Sequence, residues 1–203
     1  TFILATGFIL LLYNGGSRFT MGLMLRPMAD DLSWSRATLS LTVTLFMVVS
    51  AVVLPVIGRL VDRYRIRTVL LASVLLSSAS VALMSAIQTP VQAVVLYGVL
   101  FALATAGTSI APIGVMISRW FPEHLGLANS IAISGMGAGQ LVIILLLTAQ
   151  LESIGWRGAF LVLAGLGLLL IVPLALLSIP EPALPGAGMP NEPLGSAKSE
   201  LKA

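Results

Sequence analysis

The chain has 203 residues, 58% of them hydrophobic and only 9% charged, with a net charge of +3 and a mean hydropathy of +1.04. A water-exposed domain carries roughly 25% charged residues, so this chain cannot cover a globule with polar surface and reads as an integral membrane protein. The small basic excess implies no nucleic-acid partner. The lack of cysteine excludes disulfides and thiolate metal sites, and the single histidine, His124, excludes a histidine-cluster metal centre, so no cofactor and no metal is expected.

Apolar runs long enough to cross a bilayer cover 2–25, 36–60, 68–87, 91–117, 125–150 and 158–178. A helix needs roughly 20 residues to cross about 30 Å of hydrocarbon. Open sheets are forbidden in lipid because their backbone groups stay unpaired, so the expectation is an all-α membrane bundle over 1–178. The chain starts at Thr1 and is apolar by Phe2, without the basic leader of a cleaved signal peptide. Thr1 is read as a truncation point, with a short cytoplasmic leader missing.

The first span carries Asn14, Ser17, Arg18 and Thr20. Arg18 sits near its middle, where a guanidinium costs from about 2.5 to above 10 kcal/mol. No carboxylate lies mid-span in any of the six runs, because Asp62 and Glu152 fall at span ends. Something else must offset the charge. One reading is bidentate capture of a substrate carboxylate. The others are an acid on a further part of the protein, or an arginine reaching back to the interface.

Ser33-Trp34-Ser35 precedes the second span, with the indole at interface depth. Between the second and third spans lies Gly58-Arg59-Leu60-Val61-Asp62-Arg63-Tyr64-Arg65-Ile66-Arg67. Such a basic knot must lie in water, and it marks a candidate gate. Gly58 is expected to let the second span end close against a neighbour. Asp62 can cap a helix or pair with a basic residue. Arg63 and Arg67 share a side if the turn is helical. Thr89-Pro90 supplies a capping oxygen and a first-position proline for the fourth span, which then carries Thr105, Thr108 and Ser109 and ends at Trp120-Phe121-Pro122. Arg119 either braces the gate by pairing with Asp62 or is a lone basic residue at the cytoplasmic edge.

Gly135-Met-Gly137-Ala-Gly139 in the fifth span has glycines spaced as in a dinucleotide loop, but no strand precedes it and it lies inside an apolar helix. Gly135 and Gly139, four apart, instead allow close helix contact. Gln140 faces either the cavity or a helix contact. The sixth span has no hydroxyl, amide or charge from Ala159 to Leu177. From Ile179 onward proline and glycine dominate, so 179–203 is expected to be a disordered cytoplasmic tail or a central linker.

A shift of 91 residues superposes Gly7 on Gly98, Leu12 on Leu103, Gly16 on Gly107 and Ala37 on Ala128. It also pairs Asn14 with Thr105, Ser17 with Thr108 and Arg18 with Ser109, which suggests two three-helix units. The loops after the second and fourth spans hold Arg63, Arg65, Arg67, Arg119 and His124, and the tail holds Lys198 and Lys202. Basic loops stay cytoplasmic, so both ends of the segment are expected there, in a plasma (inner) membrane.

Gly58, Leu60, Asp62, Arg63 and Arg67 match the pattern Gly-x-Leu-x-Asp-Arg-x-Gly-Arg-Arg/Lys, and the chain thereby resembles the major facilitator superfamily. It departs at Arg65, where that family usually has glycine, and at Ile66, where it usually has a basic residue. The resemblance implies the N-terminal half of a two-bundle, alternating-access transporter with a 3+3 inverted repeat and a missing C-terminal six-helix partner. It also implies a site lined by the first and fourth spans, with the third and sixth outermost toward lipid. Substrate contact is then expected from Arg18, Asn14, Ser17, Thr105 and Ser109, and a cytoplasmic latch from Gly58, Asp62, Arg63, Arg67 and Arg119.

Three further segments are similar to the family's monocarboxylate and oxalate/formate branches: Arg119-Trp120-Phe121-Pro122-Glu123-His124, Gly155-Trp156-Arg157-Gly158-Ala-Phe160 and Leu32-Ser-Trp34-Ser35-Arg36-Ala37. The favoured expectation is secondary active or facilitative transport of a small, monocarboxylate-like organic anion. A drug or sugar porter is the alternative, although Ile179-Pro180-Glu181-Pro182 lacks the Ser-Pro-Arg of sugar porters. A non-transporting membrane scaffold or receptor is a second alternative. An intramembrane protease is disfavoured, because no serine–histidine or paired-aspartate arrangement lies within the spans. No titratable carboxyl or histidine lies mid-span either, so proton coupling has no candidate here.

Overall fold

Backbone amides and carbonyls in hydrocarbon have no water to bond, and long apolar runs therefore fold into helices that satisfy their own backbone. The computed structural model describes residues 2–178, and every regular element in that range is helical. Thr1 and the expected tail, 179–203, lie outside the described residues.

Among the described residues five helices are long and apolar enough to cross a membrane: Phe2–Leu32, Arg36–Arg63, Ile66–Met84, Pro90–Trp120 and Leu125–Leu174. The last contains two arms. Residues Leu125–Leu166 are helical except at Gly155, whose φ of 65° and ψ of 178° are reachable almost only by glycine. The helices are numbered α1 (Phe2–Leu32), α2 (Arg36–Arg63), α3 (Ile66–Met84), α4 (Pro90–Trp120), α5 (125–154) and α6 (156–178).

Contacts with α1 give the direction of each arm. Gly135 meets Phe8, Gly139 meets Leu12 and Ile143 meets Gly16, so α5 runs parallel to α1. Beyond Gly155, Trp156 reaches Asp31 and the Leu163 carbonyl reaches Tyr13, so α6 runs antiparallel. The chain therefore reverses at one glycine.

Several expected boundaries shift. α1 runs past residue 25 to Leu32, carrying Asp30 and Asp31 on its last turn, and Ser33 ends it with φ 54°. At 1.5 Å per residue such a helix is about 46 Å long, so its end stands clear of about 30 Å of hydrocarbon and its charges stay wet. Ser35 caps α2 by accepting from the Thr38 amide at 3.1 Å. Thr89 and Gln92 form a reciprocal capping box on α4.

The turn between α2 and α3 is only Tyr64 and Arg65, and neither residue is helical. Arg63 thus ends one helix and Arg67 begins the next, so the two do not share a helical face. Arg65 has φ −62° and ψ 124°, ordinary extended backbone, so the turn closes without the glycine the motif usually has there. The packing role expected of Gly58 is not met: a Cβ there would find nothing within 4 Å among the described residues.

Glycines set the closest packing. A Cβ at Gly135 or Gly139 would run into the backbone of Phe8 or Leu12, and one at Gly15 into the Met136 carbonyl. Without a hydrophobic driving force between helices in lipid, such close backbone approach supplies the dispersion that holds them. Gly107 of α4 lies against Ser73 of α3, and Gly167 of α6 lies against Ser78 and Tyr13.

The 91-residue repeat relates which helices pair, though not the individual glycine contacts. The α1–α5 seam corresponds to α4 on α2, where Gly98 meets Leu45. The repeat-equivalent residues Asn14 and Thr105 touch each other directly. Gly7 lies near Met116 while the Arg18 carbonyl meets Tyr97, so α1 and α4 run antiparallel, as an inverted repeat requires.

At the edge where α1 ends, Asp31 Oδ2 accepts from Trp156 Nε1 at 3.1 Å and from Arg157 Nη2 at 3.3 Å. The Arg157 guanidinium lies 4.3 Å from the Trp156 ring and also donates to the Ser85 carbonyl at 3.4 Å. With both partners of the ion pair about half exposed, it contributes no more than about 1 kcal/mol. Its role is to tie α1, α3 and α6 together.

α2 stands apart: 11% of its most apolar window is buried, against 50% in α1 and α3 and 56% in α4. Its Leu41, Met47, Val48, Val52, Leu54 and Val56 are exposed, an apolar face suited to lipid or to further helices.

The glycine seam makes a direct prediction. Gly139→Ala forces α1 and α5 apart and is expected to destabilise the detergent-solubilised protein by at least about 1–3 kcal/mol. Gly165→Ala meets nothing within 4 Å and is expected to be neutral or to stabilise by up to about 1 kcal/mol. Thermal unfolding of the two variants, read by loss of monodispersity, checks the contrast.

Candidate functional site

The site begins with a break in α4. Pro112 has no amide hydrogen, and its ring displaces the carbonyl four residues back, at Thr108. The helix stops at Gly107 and restarts at Ile110, with Thr108 at φ −109°, ψ 17° and Ser109 at ψ 177°. Just before the break the bonds tighten to three-residue spacing: Thr108 N bonds Thr105 O and Ser109 N bonds Ala106 O, both at 3.3 Å. The Thr105 carbonyl thereby loses its usual partner, the Ser109 amide. Asn14 of α1 fills that position: its Nδ2 donates to Thr105 O and to Thr108 Oγ1, both at 2.9 Å. Asn14 is fully buried, and its Oδ1 has no partner among the described residues.

One turn further along α1 stands Arg18. Its carbonyl accepts from Tyr97 Oη at 2.7 Å, and its Cζ lies 5.4 Å from the centre of the Phe46 ring on α2. Among the described residues no carboxylate pairs with it and no side-chain hydrogen bond holds it. Arg18 lines two adjoining cavities. The smaller, about 460 Å³, also takes Met47 and Ser50 from α2, Thr105 and Ser109 from α4, and Met136 from α5. The larger, about 860 Å³, takes Thr44, Phe46 and Met47 from α2 and Met136 and Gln140 from α5. Neither includes a residue of α3 or α6.

The structure brings Arg18, Thr105 and Ser109 together on one cavity wall. It does not bring Asn14 and Ser17 there. Both are fully buried, and the Ser17 hydroxyl donates to the Asn14 carbonyl at 3.1 Å, so these two residues brace α1 against the α4 break. Thr108 is likewise buried behind the wall.

Sequence reasoning missed Phe46, Met47, Ser50 and Met136. Aromatic and thioether side chains in an apolar span carry no signal of their own, and Ser50 stands alone in its run. The Ser50 and Ser109 hydroxyls have no partner among the described residues, so the wall holds donors beyond the guanidinium. Gln140, left open in the sequence, lies on the larger cavity. An apolar concavity with one cation and a few hydroxyls can hold a small molecule with a negative end.

The residues expected to form a latch lie toward the edge opposite Asp31, where α2, α4 and α6 end. Asp62 and Arg63 lie on the last turn of α2, and Arg119 on the last turn of α4. Asp62 and Arg119 form no ion pair among the described residues. Arg67 makes a different contact: its Nη2 donates to the Leu176 carbonyl at 2.8 Å. A guanidinium there satisfies a helix-end carbonyl and suits the negative end of the α6 dipole.

Comparison with known proteins agrees with this architecture. The family model for the Major Facilitator Superfamily matches residues 7–201. Probable anion transporter 3, chloroplastic, of Arabidopsis thaliana is 33% identical over 172 residues, covering 82% of this chain and 33% of that protein. Monocarboxylate transporter 14 of Homo sapiens is 26% identical over 178 residues, 88% of this chain and 34% of its own length. The oxalate:formate antiporter of Oxalobacter formigenes is 29% identical over 162 residues, 78% of this chain and 38% of that antiporter. The chain thus spans between a third and two fifths of these relatives. Its helical bundle with paired three-helix units, its basic turn between α2 and α3, and the family match over nearly its full length place this chain in the major facilitator superfamily of membrane transporters.

Proposed function

We propose that this chain forms the N-terminal half of an alternating-access transporter for a small, monocarboxylate-like organic anion, and that Arg18 is its anion anchor. The observation that carries the reading is the Arg18 guanidinium on the wall of two apolar cavities with no carboxylate beside it among the described residues. A cation at membrane depth needs a counter-charge or water, and a cavity open to a passing anion supplies either in turn. The hydroxyls of Ser109 and Ser50, unpartnered among the described residues, would serve the same ligand, whereas the Thr105 hydroxyl donates to the Phe101 carbonyl and contributes only its place on the wall. The anion, monocarboxylate and oxalate:formate relatives favour this substrate class over sugars or drugs.

The far wall of the cavity would come from a second six-helix bundle docked on the exposed faces of α2 and α5. Gly58, Asp62, Arg63, Arg67 and Arg119 would close the cytoplasmic side, with Asp62 available to a partner on that bundle. The basic edge orients the segment with both ends in the cytoplasm of a plasma (inner) membrane.

In proteoliposomes of the full-length protein, labelled formate or lactate uptake is expected to saturate. Arg18→Lys keeps the charge but loses the bidentate fork, and is expected to raise the half-saturation concentration about 10-fold or more, the value of a hydrogen bond to a charged group. Arg18→Gln is expected to abolish uptake. Unchanged affinity in Arg18→Lys, or uptake of a neutral sugar in place of the anions, contradicts the reading.

Orientation is tested by labelling, since the chain contributes no cysteine of its own. In intact cells a membrane-impermeant maleimide is expected to label Ser153→Cys and to spare Tyr64→Cys. The reverse pattern inverts the topology.

A further inference from the structure

Among the described residues Arg18 is the one cation lining these two cavities, and an aromatic ring lies beside its guanidinium. Three helices converge on it. α1 supplies the side chain, α2 sets the Phe46 ring 5.4 Å from Cζ, and α4 holds the Arg18 carbonyl through Tyr97 Oη at 2.7 Å. The rings of Phe46, Tyr97 and Phe101 form a buried cluster. Tyr97 lies 5.2 Å from Phe46 and 4.8 Å from Phe101, and Phe46 lies 5.7 Å from Phe101. Tyr97 and Phe101 come from a π-helical stretch of α4, Val94–Phe101, and such irregular turns occur often at functional sites.

An ion pair would fix Arg18 by neutralising it and occupying its N–H groups. A ring beneath the guanidinium fixes it electrostatically and occupies none of them. Among the described residues all five donors of Arg18 remain free. Phe46 is itself buried and shares its cavity with Arg18, so its ring is anchored while the guanidinium above it stays accessible.

We propose that Phe46 is a positioning residue for Arg18: the negative face of its ring, backed by Tyr97 and Phe101, holds the guanidinium edge toward the cavity with its donors open to an anion. The proposal rests on the reading of Arg18 as the anion anchor. It adds that anion affinity depends on the electronics of the ring at residue 46, beyond its bulk.

The test replaces Phe46 in the full-length protein with mono-, di- and trifluorophenylalanine by nonsense suppression. These keep the shape of the ring and progressively weaken its negative face. Phe46→Trp, Phe46→Tyr, Phe46→Leu and Phe46→Met are made in parallel. Two readouts are used: half-saturation for labelled formate uptake, and protection of Arg18 by formate against phenylglyoxal, followed by mass spectrometry. Half-saturation is expected to rise stepwise with fluorine number, and Phe46→Leu and Phe46→Met are expected to weaken affinity about 3- to 30-fold. Phe46→Trp and Phe46→Tyr are expected to retain affinity. A purely packing role predicts the opposite order, with the volume-matched methionine tolerated and the larger tryptophan not. If formate protects Arg18 equally across the fluorinated series, the positioning role of Phe46 is overturned while the anchor stands. If formate fails to protect Arg18 in the unsubstituted protein, the anchor reading falls and the positioning role falls with it.

Discussion

Among the described residues the Arg18 guanidinium, midway along a helix long enough to cross a membrane, has no carboxylate beside it. Desolvating such a charge is costly, and each neighbouring element bears on how the cost is met. α1 is locked to the broken α4 by Asn14, so Arg18 has a fixed origin. α2 places Phe46 against it, and α4 ties down its backbone through Tyr97. Among the described residues no carboxylate neutralises the charge.

The break in α4 and the glycine seam between α1 and α5 serve the same arrangement from opposite sides. Tight backbone contact at Gly135 and Gly139 fixes α5 along α1. The break at Thr108–Ser109 turns Ser109 onto the cavity wall and frees the carbonyl that Asn14 binds. The glycine seam belongs to one three-helix unit crossing the other at α1 and α5, and the break belongs to α4 alone, since its repeat equivalent α1 is unbroken. α3 and α6 line neither cavity and are tied to α1 at the Asp31 edge. This division lets α2 and α5 keep apolar faces free.

Much of this was legible in the residues because charge and glycine are conspicuous in an apolar chain. Arg18 stood out because almost nothing else in the spans is charged, and Gly135 and Gly139 stood out by their spacing. The repeat was visible where small and polar residues recur, but equivalence under a shift says nothing of contact, and the bond between Asn14 and Thr105 came from the structure. Phe46 and Met47 were not legible, since a ring or thioether inside a span looks the same whether it meets lipid or a cation. Asn14 and Ser17 were assigned to the cavity because polarity alone does not tell a cavity wall from a helix contact. The end of α1 was misplaced because Arg26, Pro27, Asp30 and Asp31 look like a loop, although a helix that rises clear of the hydrocarbon keeps them wet. The turn at Arg65 showed that the motif's usual glycine is dispensable, because the backbone there is merely extended.

The central claim is that Arg18 meets a passing anion. It is tested most directly by a structure of the full-length transporter with bromoacetate bound, the halogen located by its anomalous scattering. The account predicts a carboxylate within hydrogen-bond distance of the Arg18 guanidinium, its bromine among Met47 and Met136. A carboxylate bound elsewhere, with Arg18 paired to an acidic side chain of the second bundle, contradicts it.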